Sequence, residues 1–266
     1  MQQIRFAGAT LTGVRVGAGP DLLVIHSLLA DRTAFDPVLP WLAERFRVTL
    51  VNLPGFHGSV PIAPGIEGYA DRIAALFGDG LARDTVVIAN GFGGTVAAAM
   101  AIQHGDKFGR LVLSDAAAGF PPEGRKAFQI MADKVAAEGI ASIATIAANR
   151  VFHKVYLDAH PDAIEERRKV LLGVAPEAFI AACRTLMQTD LVPQLSTIGN
   201  PTLVLCGELD AATPPPLCRQ MAENIPDARY IELPGCGHCP PLEQPQAFID
   251  TVADFILAAG KSAGSD

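Results

Sequence analysis

Charge is scarce in this chain of 266 residues: charged side chains make up 18% of it, against 50% hydrophobic. That balance excludes disordered, coiled-coil and collagen-like classes and leaves ample apolar material for one sizeable core. What charge there is leans acidic, 21 Lys+Arg against 28 Asp+Glu for a formal −7. Phosphate backbones and anionic lipid are repelled by such a surface, so neither nucleic acid nor a membrane is an expected partner. No run approaches the roughly 18 apolar residues of a membrane span, and the start, Met1-Gln2-Gln3-Ile4-Arg5, lacks the apolar stretch of a secretory signal. Cysteine is sparse and odd in number, at five. In a chain too long to need staples, that points to free thiols in a reducing, cytoplasmic compartment. Internal repeats and low-complexity segments are missing too. So is a phosphate-cradling loop, because Gly91-Phe92-Gly93-Gly94 is too short for a dinucleotide or nucleoside triphosphate fingerprint. No cofactor and no metal is implied, and the expected partner is a small-molecule substrate.

The chain does have short β-branched runs alternating with helical patterns, the signature of an α/β fold with a mostly parallel sheet. Residues 11–17 and 22–26 read as an opening pair of strands about the turn Ala18-Gly19-Pro20, followed by strands at 47–52, 85–90, 110–115, 202–207 and 229–233. Their continuous apolar character suits strands buried on both faces. Helical patterns fall at 35–46, 69–77, 95–104, 215–224 and 246–258, with a small, polar, frayed tail at 260–266. From 116 to 197 the alternation stops and only helices are expected, at about 123–138, 141–152, 161–172 and 176–189. The division is therefore an α/β core of 1–115 and 198–266 and a helical cap of 116–197. An insertion after a parallel strand lands at the sheet's carboxyl edge, where α/β proteins bind ligands, so the cap is expected to roof the site.

Several loops carry recognisable wording. A strand, then Gly91-Phe92-Gly93-Gly94, then an alanine-rich helix has the layout of a nucleophile elbow. His26-Ser27-Leu28-Leu29 ends another strand, and Asn52-Leu53-Pro54-Gly55-Phe56-His57-Gly58-Ser59 is similar to an Asp-x-Pro-Gly-x-Gly-x-Ser loop. Gly207-Glu208-Leu209-Asp210 and Leu233-Pro234-Gly235-Cys236-Gly237-His238 follow two later strands. In order and spacing, over nearly the whole chain, these resemble the α/β-hydrolase fold superfamily, and within it the capped 3-oxoadipate enol-lactonases and their relatives. The resemblance implies His238 as the catalytic base and Asp210 as the acid that orients it. Asp115, which also ends a strand, ranks second for the acid. The resemblance also implies the backbone N–H groups of Phe92 and Leu28 as oxyanion donors.

The departure is at the centre: alignment with Gly-x-Ser-x-Gly-Gly puts Gly91 where the family has its serine. Glycine suits the turn, since a side chain at such a strained, positive-φ position costs about 1–3 kcal/mol. The loss falls on chemistry. Without the hydroxyl, His238 and Asp210 are expected to activate a water in the space it would fill, against a lactone, ester or activated ketone and with no covalent serine intermediate. A positioned base contributes about 10²–10⁴-fold, enough for an electrophilic substrate but not for an amide. Three alternatives fit the same residues: a serine hydrolase carrying an inactivating serine-to-glycine change at 91, a cofactor-free dioxygenase using the His-Asp dyad, and a non-catalytic binding protein.

Ser27, Ser59, His57 and Cys236 lie in motif loops and could supply a substitute nucleophile, but none is on the elbow itself. His26, Ser27, Phe152 and His153 are candidates to line a substrate pocket, as is the basic pair Arg150 and Lys154, which could meet an acidic substrate. Cys236-Gly237-His238-Cys239 spells a disulfide-isomerase motif, but that motif opens a helix early in a thioredoxin-type fold and here it runs into Pro240-Pro241. A zinc site with Cys206 and Cys218 fits no structural spacing.

Overall fold

A computed structural model describes residues 3–258. Eight strands form one sheet: β1 Ile4–Phe6, β2 Leu11–Val16, β3 Asp21–Ile25, β4 Arg47–Val51, β5 Val86–Asn90, β6 Arg110–Ser114, β7 Thr202–Gly207 and β8 Ala228–Leu233. Their order is β1-β2-β4-β3-β5-β6-β7-β8, with β1 and β2 antiparallel and all pairs from β4 to β8 parallel. This is the expected α/β class. β3, β5 and β7 are buried along their whole length, as continuous apolar runs in a sheet covered on both faces require. β2 and β3 do not pair across the turn at 18–20, because β4 lies between them. The wholly buried β3 takes a central position, while β2, half-exposed at its end, goes toward the edge.

The crossovers are α1 Leu39–Ala43, α2 Ile66–Ala74, α3 Phe92–His104, α9 Pro215–Asn224 and, after a one-turn α10 Pro240–Glu243, the closing α11 Pro245–Leu257. The helix expected at 35–46 is instead a 3₁₀ turn, Arg32–Phe35, followed by the short α1. Pro37 and Pro40 account for the break, since an interior proline removes a helical hydrogen bond while one at the first turn is tolerated. The three-residue β1 carries too little pattern to read from sequence. The tail expected at 260–266 lies outside the described residues. Among those residues, no helix is long and apolar enough to cross a membrane.

Between β6 and β7 the chain forms only helices: α4 Pro122–Glu138, α5 Ala144–Val151, α6 Lys154–Ala159, α7 Ala163–Leu171 and α8 Pro176–Gln188. The expected helix at 141–152 is split into a 3₁₀ turn, Ile140–Ile143, and α5. α6, capped by the His153 ring, had no counterpart in the sequence pattern. Leu191 N–H donates to Ala118 O at 2.7 Å, and Gly119 bridges Asp190, so the insertion leaves and returns at one point. A second bridge, Phe56 to Val174, fastens its far side to the loop after β4.

Candidate active site

The sheet reverses its winding at β3, with β4 on one side and β5 on the other. Crevices at such a switch point, beyond the carboxyl ends of the strands, are where α/β folds place ligands. The parallel register pairs Ile25 with Ala89. Continued two residues further, it sets Ser27 opposite Gly91. Gly91 has φ +55° and ψ −121°, a conformation that glycine adopts without a Cβ penalty. A Cβ at Gly91 would overlap Ser27 Oγ and lie 2.8 Å from His238 Nε2. The space expected to hold a water is therefore filled by the Ser27 hydroxyl, which stands 3.2 Å from His238 Nε2. Sequence reasoning missed this because it compared positions along the chain, whereas the register brings a neighbouring strand's side chain onto the elbow. Gly93 has a packing reason of its own: a Cβ there would run into the Ile25 and His26 carbonyls at the end of β3.

On the other side of the crevice, His238 Nδ1 lies 2.9 Å from Asp210 Oδ2, and both residues are buried, 5% and 3% exposed. Asp210 Oδ1 accepts from the N–H groups of Ala212 at 2.7 Å and Thr213 at 3.0 Å. The Thr213 hydroxyl sits 2.6 Å from Asp210 Oδ2 and 3.2 Å from His238 Nδ1. Burial pushes the Asp210 carboxyl up, but the His238 ring and these hydrogen bonds outweigh it and hold the group below the usual carboxylate range. An ionised Asp210 accepts the Nδ1 proton, which leaves Nε2 as the acceptor facing Ser27.

Asp115, the second-ranked acid, has its carboxylate engaged elsewhere: Oδ1 accepts from Gly207 N–H at 2.8 Å and Oδ2 from Ser114 Oγ at 2.6 Å. Burial, and then the nearby Asp210, push its pKa well up. Asp115, Asp210 and His238 each bring one donor atom within 4.8 Å of the others. The hydrogen bonds already made by these atoms tie them to protein groups.

The His238 loop is held from both directions. Asn90 Nδ2 donates to His238 O at 3.0 Å, and His238 N–H donates to Val151 O in the insertion at 3.1 Å. The Glu243 carboxylate accepts from Gly237 N–H at 3.1 Å, Cys239 N–H at 3.0 Å and His153 N–H at 3.4 Å. Glu243 and Thr213 were not singled out from sequence. A polar residue in each motif loop, able to bond free backbone N–H groups, is the signal that could have found them.

A cavity opens over Ser27, Gly91 and His238. Leu28 and Phe92 also line it, and neither of their N–H groups donates a hydrogen bond among the described residues. The insertion supplies Phe120, Phe128, Arg150 and Leu186 to the same wall. Arg150 is a half-buried cation whose guanidinium lies 5.9 Å from the Phe128 ring centre. Burial pulls its pKa down and the Asp210 charge pushes it up, with no hydrogen-bonding carboxylate beside it among the described residues.

Three of the residues expected in the pocket are elsewhere. His26 is fully buried below the crevice: Nδ1 donates to Ser27 O at 2.8 Å and Nε2 accepts from Leu53 N–H at 3.0 Å. Burial lowers its pKa to about 4, so the ring is a neutral backbone clamp. Phe152 stacks on Tyr156, and the His153 ring caps α6. Their places in a cap loop gave no sign of which way the chain turns.

Comparison with known proteins follows the same lines. The family model described as "Alpha/beta hydrolase family" matches residues 22–251. The chain is 28% identical to the pimeloyl-[acyl-carrier protein] methyl ester esterase of Aeromonas hydrophila, over 91% of this chain and 97% of that protein. It is 25% identical to 3-oxoadipate enol-lactonase 2 of Acinetobacter baylyi, over 86% of this chain and 85% of that one. A thermophilic esterase from Thermogutta terrifontis, solved with malate bound, superposes with a TM-score of 0.87 at 30% identity, covering 97% of this chain and 99% of its own. With a match over most of its length, on a sheet of this topology, the chain belongs to the alpha/beta hydrolase family.

Proposed function

We propose that this protein hydrolyses a small ester or lactone, with His238 as general base and Asp210 as its orienting carboxylate. The observation that carries the reading is the 2.9 Å bond from His238 Nδ1 to Asp210 Oδ2, with Nε2 turned to a hydroxyl on the cavity wall. In the ground state Nε2 accepts; as the acyl carbon is attacked it takes a proton, and Asp210 stabilises the imidazolium that forms. The carbonyl oxygen becomes an oxyanion beside the Phe92 and Leu28 N–H groups, each of which is worth about 10²–10³ in rate in a water-excluded site. Protonated Nε2 then returns the proton to the leaving alkoxide.

Arg150 favours a substrate that bears an anionic group, since a cation on the cavity wall without a carboxylate hydrogen-bond partner among the described residues is well satisfied by a carboxylate from the ligand. The curated relatives are named for a methyl ester and an enol-lactone, which supports an ester or lactone over an amide.

The test is turnover on a panel of aryl esters and enol-lactones, half of them bearing a carboxylate, with and without oxygen. The expected result is oxygen-independent hydrolysis, faster for the acid-bearing members, that falls by about 10³-fold or more in His238→Ala. Strict oxygen dependence, or tight binding without turnover, would replace the hydrolase reading with an oxygenase or a receptor.

A further inference from the structure

We propose that Ser27, at the end of β3, is the nucleophile, so that the elbow's missing hydroxyl is supplied from the neighbouring strand. The proposal rests on the hydrolase reading above and names the atom from which His238 takes its proton. Ser27 is 3% exposed, and among the described residues its Oγ has one hydrogen-bond partner, His238 Nε2 at 3.2 Å. The only other hydroxyl on the cavity wall among those residues, Thr213, lies 2.7 Å from Asp115 O and 2.6 Å from Asp210 Oδ2, which occupy it. The Ser27–His238–Asp210 line has the distances of a catalytic triad, which is recognised by geometry and roles rather than by sequence position.

Two features make the exchange of strands workable. First, Ser27 Oγ lies where a Cβ at Gly91 would be, so the hydroxyl and the absent side chain compete for one place. Glycine at 91 is what leaves room for Ser27 to face the histidine. Second, the oxyanion donors keep their places. An elbow serine uses the N–H of the following residue and one from the β3 loop. With Ser27 attacking, Leu28 becomes the following residue and Phe92 the donor from the opposite loop, so the same two N–H groups serve.

The chemistry balances without any further group. Ser27 Oγ forms a bond to the acyl carbon as its proton passes to His238 Nε2. The tetrahedral intermediate collapses, the C–O bond to the alkoxide breaks, and Nε2 protonates that alkoxide. This leaves an acyl ester on Ser27. Water then attacks the acyl carbon, gives its proton to Nε2, and the Ser27 oxygen leaves and takes that proton back, releasing the carboxylic acid.

A fluorophosphonate probe with intact-mass and peptide mapping tests this directly. Trypsin releases residues 16–32, in which Ser27 is the single hydroxyl. One probe is expected per chain, on that peptide, and none on Ser27→Ala, whose circular dichroism and melting should match the parent. Turnover of p-nitrophenyl acetate should fall in Ser27→Ala by about 10³-fold or more. An unlabelled parent protein, or a label on another peptide, would overturn the proposal. Ser27→Ala within about tenfold of the parent while His238→Ala is inactive would also overturn it, and would leave the dyad acting on water. Retained turnover in both variants would instead bring down the hydrolase reading itself.

Discussion

Two loops at the same edge of the sheet each present a buried histidine, and their surroundings are opposite. In the loop after β3, both ring nitrogens of His26 are spent on backbone groups, and burial keeps the ring uncharged with a pKa of about 4. In the loop after β8, His238 gives one nitrogen to a carboxylate and turns the other to a hydroxyl at a cavity. The side chain is the same; its neighbours decide the role. A ring closed off by amide and carbonyl is a clamp, and a ring held from behind by an ionised acid, with its other nitrogen facing a hydroxyl, has the arrangement the proposed base requires.

Removing the acid should erase the difference most sharply. Asp210→Asn leaves the shape of the site but withdraws the charge that fixes the tautomer, and kcat should drop by about 10⁴-fold with little change in KM. Steady-state kinetics beside a melting curve checks this. A drop below tenfold would mean that Asp210 orients nothing.

The clamp shows itself in stability rather than rate. His26 is ordinary when unfolded, near 6.5, and falls to about 4 when folded. The unfolded chain therefore binds the extra proton between those values, and the contribution is whole above pH 6.5 and drains away as pH falls toward about 4. It amounts to roughly 3 kcal/mol. Urea unfolding from pH 7 to 4 should show that loss, and His26→Gln, less stable throughout, should flatten it.

A smaller effect sharpens the same contrast at the elbow. Gly91→Ser places a side chain at φ +55° and forces the Ser27 hydroxyl off His238. The cost should be about 1–3 kcal/mol in stability. Should the variant hydrolyse esters with its label now at position 91, the elbow and the β3 loop are interchangeable sources of the hydroxyl. An unstrained, unlabelled variant would show that they are not.

How far the sequence reveals this site depends on the kind of contact involved. The parallel sheet was legible because buried strands need continuous apolar runs, and His238 and Asp210 because each follows such a run in its own loop. Which of Asp115 and Asp210 meets the ring shows only in the hydrogen bonds, since each follows a strand and only Asp210 bonds to His238. The place of Ser27 needed the order β4-β3-β5, because its approach to Gly91 is made across the sheet and not along the chain. His26, Phe152 and His153 were expected in the pocket and lie outside its wall, while Arg150, also expected there, does line it; Phe120 and Phe128 reach it from the segment before α4 and from α4 itself, whose packing no periodicity specifies.

The most direct test is the same exchange made in both loops, His26→Gln and His238→Gln, each measured for unfolding free energy and for turnover of a small activated ester. His238→Gln should fold about as well as the parent and lose 10³-fold or more in rate. His26→Gln should lose about 2–3 kcal/mol of stability and keep its turnover per folded molecule within about tenfold. An active His238→Gln, or a His26→Gln that folds normally without turning over substrate, would contradict the assignment of the two rings.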